Sequence, residues 1–80
     1  MDTYNPFSDE PQDSAKRLFS TRLKTSLRLN SFTQAKFAKE LGTTPQAISS
    51  YVNGKTSPDY DTLRAIARLL GVSIDYLLGR

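Results

Sequence analysis

At 80 residues and 38% hydrophobic composition, the chain has material for one small domain with a compact core, which argues against a large enzyme with a deep substrate cleft. It contains neither Cys nor His, so disulfides, thiolate or imidazole metal sites, Cys nucleophiles and His-based acid–base catalysis are excluded, and no metal or other cofactor is expected. The net charge of +3 conceals an asymmetry: residues 1–15 carry Asp2, Asp9, Glu10 and Asp13 without a base, whereas all eleven Lys and Arg follow from residue 16.

Eight of those bases fall between residues 16 and 55, the stretch suited to a polyanionic partner. No apolar run approaches the ~18 residues of a membrane span, and the N-terminus lacks the basic-then-apolar order of a secretion signal. The expectation is a soluble, cytoplasmic protein with no membrane partner.

Residues 1–13, MDTYNPFSDEPQD, combine two prolines with acids and show no helical or alternating period. They are expected to form a disordered acidic arm, either a solvated tail or a segment that meets a partner or shields the basic face. A single domain is expected over residues 14–80. Its first helix, which Ser14 can cap, carries Ala15, Phe19, Leu23 and Leu27 every fourth residue, with Leu18 and Leu29 alongside and bases on the other faces. Asn30-Ser31 breaks that pattern, and Phe32 is placed to act as a staple residue ahead of the next cap.

Thr33 is an N-cap for a second helix over 34–41, with Phe37, Ala38 and Leu41 inward, and Gly42 closes it. Thr44 with Pro45 at the first helical position starts a third helix, ended by Asn53-Gly54. Ser57-Pro58-Asp59 starts a fourth, whose stripe is Leu63, Ile66, Ala67 and Leu70 up to Gly71; Ser73 then caps a short fifth, Ile74 to Leu78. Nothing after residue 13 alternates as a strand does, so the expected fold is all-α, a compact bundle of five short helices.

At 100° per residue the third helix turns Ala47, Ile48, Tyr51 and Val52 inward and leaves Pro45, Gln46, Ser49, Ser50 and Asn53 outward. That outer face is short, polar and uncharged. Polar residues face outward on any surface helix, but these types also suit base edges: Gln can pair with adenine, Ser can donate or accept, and a proline ring can touch a thymine methyl. Two helices joined by a glycine-bearing turn, the second exposed, in a basic chain, read as a helix-turn-helix over about residues 33–53.

The segment FTQAKFAKELGTTPQAISSYVNGKTSPDYDTLRAIARLLGVSIDYLLG resembles the Cro and lambda-repressor type helix-turn-helix family of bacteria and their phages. The likeness covers roughly residues 16–79. It rests on Thr33-Gln34, Ala38, Gly42, Ile48 and Asn53-Gly54-Lys55, then on Pro58, Leu63, Ile66-Ala67, Leu70-Gly71-Val72 and Tyr76-Leu77-Leu78. The resemblance implies a lambda-repressor-like DNA-binding domain whose third helix enters the major groove, with Pro45, Gln46 and Ser50, then Ser49, at base-reading positions. It implies phosphate contacts from Gln34, at the start of the second helix, and from Thr44, Asn53 and Lys55. Lys36 and Lys39 flank the same groove, and Arg22 and Arg28 are the stronger candidates among the bases of the first helix. Two departures stand out. Pro45 occupies a place where better-known members carry a base-reading glutamine, and the loop Lys55 to Pro58 lacks the arginine that some relatives place in the minor groove.

The fifth helix admits two readings: Ile74, Tyr76, Leu77 and Leu78 form a dimer interface, or Tyr76 and Leu77 simply pack inside. A dimer would match the two half-sites that such helices usually read. Arg64 and Arg68 share one face of the fourth helix and are expected to be solvated or paired with Asp61. Ser and Lys are frequent but lie on exposed helices without an implied pocket, so no catalytic residue is assigned and no enzyme is expected. The expected function is sequence-specific binding of a double-stranded DNA operator by a dimeric transcriptional repressor that occludes a promoter. The alternative is a protein-interaction module on a helix-turn-helix scaffold, an antitoxin-like regulator for example.

Overall fold

Thr33, Thr44, Asp59 and Ser73 each stand one residue ahead of an apolar stripe, and all four are N-caps in the computed structural model, which describes residues 13–79. The chain runs α1 (Asp13–Leu29), α2 (Gln34–Leu41), α3 (Pro45–Val52), α4 (Tyr60–Leu70) and α5 (Ile74–Leu78), with no strand among the described residues. The cap oxygens accept backbone N–H groups that lack a partner in the first helical turn. Lys36 N–H donates to Thr33 Oγ1 at 3.0 Å, Ala47 N–H to Thr44 Oγ1 at 3.2 Å, Thr62 N–H to Asp59 Oδ1 at 2.8 Å and Tyr76 N–H to Ser73 Oγ at 2.9 Å. The acidic arm expected over residues 1–13 lies outside the described residues except for Asp13. That residue is already helical, so Ser14 sits in the first turn of α1 rather than at its cap.

Every helix contributes to the core. Phe19, Leu23 and Leu27 of α1 meet Phe37 and Ala38 of α2, Ile48 and Val52 of α3, the Leu63, Ile66, Ala67 and Leu70 stripe of α4, and Leu77 and Leu78 of α5. Phe32, just before the α2 cap, packs edge-on against Phe37 with ring centroids 5.1 Å apart, the staple that its spacing predicts. Two expectations are corrected. Leu29 extends the α1 pattern in sequence but is 78% exposed, because the helix outruns the elements that cover it. Leu77 and Leu78, named for a possible dimer face with inward packing of Leu77 as the other reading, are both buried and close the bottom of the core, where a five-residue helix needs both to stay docked.

α1 ends on an unusual residue. Ser31 N–H donates to Arg28 O and Phe32 N–H to Leu27 O, the bond pattern of a left-handed helix stop, with Ser31 at φ 59°. At the end of α2 the same geometry falls on Gly42, where no Cβ opposes it. Ser31→Gly is therefore expected to raise the unfolding free energy by up to ~1 kcal/mol, measured by denaturant titration. A loss of stability would show that the serine is unstrained.

The Asp59 cap makes stability acid-sensitive. Hydrogen bonds from the Thr62 hydroxyl and then from the Thr62 backbone N–H hold its carboxyl below the ordinary value of 3.8, against a small opposing effect of burial. Its contribution is present above the unfolded value and lost as the pH falls through the lowered folded one. Asp59→Asn, which keeps the cap, should flatten the acid limb of a stability–pH profile and change little at neutral pH. An Asp59 carboxyl that titrates by NMR at or above 3.8 would contradict this.

Candidate nucleic-acid interface

The exposed face of α3 is set by what its other face buries. Ile48 is fully buried and Val52 nearly so, Ala47 and Tyr51 are half-buried, and the remaining arc turns to solvent. α2 and α3 pack directly on each other across Gly42, Thr43 and Thr44, with Thr43 N–H donating to Ala38 O at 2.9 Å. Pro45 and Gln46 are exposed at the start of α3, and the Gln46 amide has no hydrogen-bond partner among the described residues. Ser49 and Ser50 are half-buried further along. The Asn53 amide donates to Ser49 Oγ at 3.2 Å, which steadies two polar side chains one turn apart.

The side chains expected at phosphates are distributed around this unit. Gln34 occupies the first position of α2, where the Gln34 and Ala35 N–H groups have no intrahelical acceptor, and Lys36 and Lys39 are exposed on the same helix. Thr44 is exposed in the turn although its oxygen caps α3, and Asn53 and Lys55 are exposed just past the end of α3. Ser50 O accepts Lys55 N–H at 2.9 Å, which folds the loop back on the helix. Arg28 is exposed in the last turn of α1.

Arg22 goes elsewhere. Its Nη1 donates to Tyr76 O at 2.6 Å and its guanidinium lies 4.7 Å from the centre of the Tyr76 ring. This ties the last carbonyls of α5 to α1, a use for the cation within the fold beside the phosphate role expected of it. Tyr76 stays exposed beside this contact and Ile74 is half-buried against the core, so of the four residues named for a dimer face these two keep exposed surface. Arg64 lies over the Tyr60 ring at 5.9 Å and forms no ion pair with Asp61.

Sequence reasoning missed a groove of about 420 Å³ between α1 and the end of α3, lined by Lys16, Arg17, Ser20, Lys24, Asn53 and Gly54 among others. Its floor is Ser20, buried, whose hydroxyl lies 3.0 Å from both Lys16 O and Tyr51 O. A Cβ on Gly54 would sit 3.2 Å from Ser20 Oγ, so the chain leaving α3 is seated tightly on α1. One serine among several in α1 gives no signal in the sequence. Among the described residues no three Asp, Glu, His or Cys side chains form a metal-binding group, and no helix is long and apolar enough to cross a membrane.

A helix-turn-helix family profile matches residues 23–77, which takes in α2, the turn and α3 with their supporting helices. The chain belongs to the helix-turn-helix family. It is 43% identical over 61 residues to the HTH-type transcriptional regulator YqaE of Bacillus subtilis, covering 76% of this chain and 53% of that protein. It is 37% identical over 73 residues to the 26 kDa repressor protein of Escherichia phage HK022, covering 85% of this chain and 31% of that one. The solution structure of the SOS-response transcriptional repressor LexA from Eubacterium rectale superposes with a TM-score of 0.77 at 25% identity, over 81% of this chain and 69% of that one. The chain spans 31% to 56% of the length of the curated relatives it matches.

For the helix-turn-helix unit, the clearest consequence concerns Arg22. Arg22→Ala should lower stability by about 1 kcal/mol, through the lost carbonyl bond and ring contact, in a thermal melt. It should leave the salt dependence of DNA binding unchanged; a shallower dependence would return Arg22 to the phosphate contacts.

Proposed function

We propose that this helix-turn-helix domain binds double-stranded DNA in a sequence-specific manner as part of a transcriptional repressor. In this reading α3 lies in the major groove of each half-site of a palindromic operator, a dimer occupies the site, and promoter occlusion follows. The observation that carries the reading is the outward face of α3: a short, uncharged arc led by an exposed Gln46, held on a helix-turn-helix whose second helix and following loop expose Lys36, Lys39 and Lys55. The family membership and the relatives named as transcriptional regulators and as a phage repressor support it.

The physical division of labour follows from charge. Gln34, Lys36, Lys39, Thr44, Asn53 and Lys55 set the register on the backbone and supply affinity that salt weakens. Gln46 pairs with a base edge, Ser49 and Ser50 add or relay hydrogen bonds, and Pro45 offers an apolar edge to a thymine methyl. Each good base contact is worth about 1–3 kcal/mol of discrimination. No residue is assigned a catalytic role.

The test is selection from random duplexes followed by salt titration of the winning sequence in fluorescence anisotropy. A palindrome with half-sites about one helical turn apart is expected. For six to ten phosphate contacts the affinity should fall about 10³- to 10⁵-fold between 50 and 200 mM salt. Gln46→Ala should relax preference at one position per half-site, whereas Lys36→Ala should weaken all sequences alike. Equal losses from both would refute the division, and salt-insensitive binding of a protein with no selected sequence would favour an interaction module instead.

A further inference from the structure

We propose that the groove between α1 and the C-terminal end of α3 is a second anchoring site for the DNA backbone, in which Lys16, Arg17 and Lys24 hold phosphates at the rim of the major groove. The inference rests on the reading of α3 as the helix that enters that groove. Lys16, Ser20 and Lys24 are spaced four residues apart, so they share one face of α1, and Arg17 borders it. The middle member, Ser20, touches Tyr51 O and backs onto Gly54, which brings that face against the last turn of α3.

Three cations gathered here repel one another, and none forms an ion pair with a side chain among residues 16–79. The carbonyl end of α3 attracts positive charge, yet none of the three donates to it. Tyr51 O is taken by Ser20 Oγ and Gly54 N–H, and Ser50 O by the Lys55 and Thr56 N–H groups. Those two carbonyls of the last turn are thus already engaged by the fold itself, and a polyanion would supply acceptors for the cluster.

Position selects the polyanion. The eight residues of α3 rise about 12 Å, comparable with the ~12 Å width of the major groove. With Pro45 and Gln46 among the bases, the opposite end of α3 reaches the phosphate-lined rim. The basic groove opens there beside Val52, Asn53 and Gly54.

The test compares two variants of the full chain that lose the same charge: Lys16→Gln with Lys24→Gln on α1, and Arg64→Gln with Arg68→Gln on α4. Each is titrated with salt on the selected duplex. The α1 pair should reduce the slope of log affinity against log salt by about 1.8, so that its deficit against wild type shrinks about 12-fold from 50 to 200 mM salt, with the selected sequence unchanged. The α4 pair should leave the slope as it was. An unchanged slope in the α1 pair, or equal reductions in both pairs, overturns the inference while wild-type binding leaves the reading of α3 intact. If wild type shows no sequence-selective binding, that reading fails and takes the groove with it. Should the α1 pair lose its melting transition, the exposed Arg17→Gln carries the same test, with an expected slope loss of about 0.9.

Discussion

Everything the outer face of α3 can do depends on the burial of Ile48 and Val52. An isolated helix shorter than about 12–15 residues is marginal in water, and α3 has eight. It persists because its inner face is fixed in the core and both ends are pinned. Thr44 caps the start, Pro45 presets the first turn, and Ser20 with Gly54 seats the end on α1. In the proposed reading, a helix built in this way is ordered before it meets DNA, so little conformational entropy is lost on binding.

The same constraint shapes the rest of a small core. None of the helices beyond α1 exceeds eleven residues, so each must surrender its apolar stripe to the common centre and take local help at its ends. α5 is the extreme case. Five residues cannot hold themselves in a helix, and Leu77, Leu78 and the Arg22 clasp on Tyr76 do it together. What looked in the sequence like surplus apolar surface is the closure of the core. The most exposed large hydrophobics, Leu29 and Tyr60, lie instead at helix ends where cover runs out.

The features legible in the sequence were those governed by neighbours a few residues away. Caps at Thr33, Thr44, Asp59 and Ser73, the Phe32 staple and the αL stop at Gly42 follow from short-range geometry, and the α4 stripe Leu63, Ile66, Ala67 and Leu70 follows from a period of 3.6. The outward arc of α3 came from the same arithmetic. What stayed hidden depends on which helices meet across the core. Arg22 and Tyr76 are 54 residues apart, and Ser20 and Tyr51 are 31, and nothing local distinguishes Arg22 from Arg28 or Ser20 from Ser26. The groove of Lys16, Arg17 and Lys24 was hidden for that reason too: as a helix face the bases look merely solvated, and only the seating of α3 gives them a neighbour.

In the proposed reading, the placement of charge explains why α3 itself carries none. A lysine on the reading face would bind any phosphate within reach and strengthen binding to every sequence, narrowing the gap between the operator and its competitors. With the bases proposed to meet phosphate kept to α1, α2 and the loop after α3, affinity and discrimination are carried by different residues. Pro45 sharpens the separation. It has no N–H and no polar side chain, so the start of α3 gives up one hydrogen bond to a base and gains a fixed backbone angle. Gln46 is then the one exposed amide beside it, and its aim is only as good as the register imposed by the phosphate contacts on either side. Gln46 does not discriminate alone on such a surface, because Ser49, Ser50 and Pro45 share its outward arc and add contacts once the phosphates have set the register.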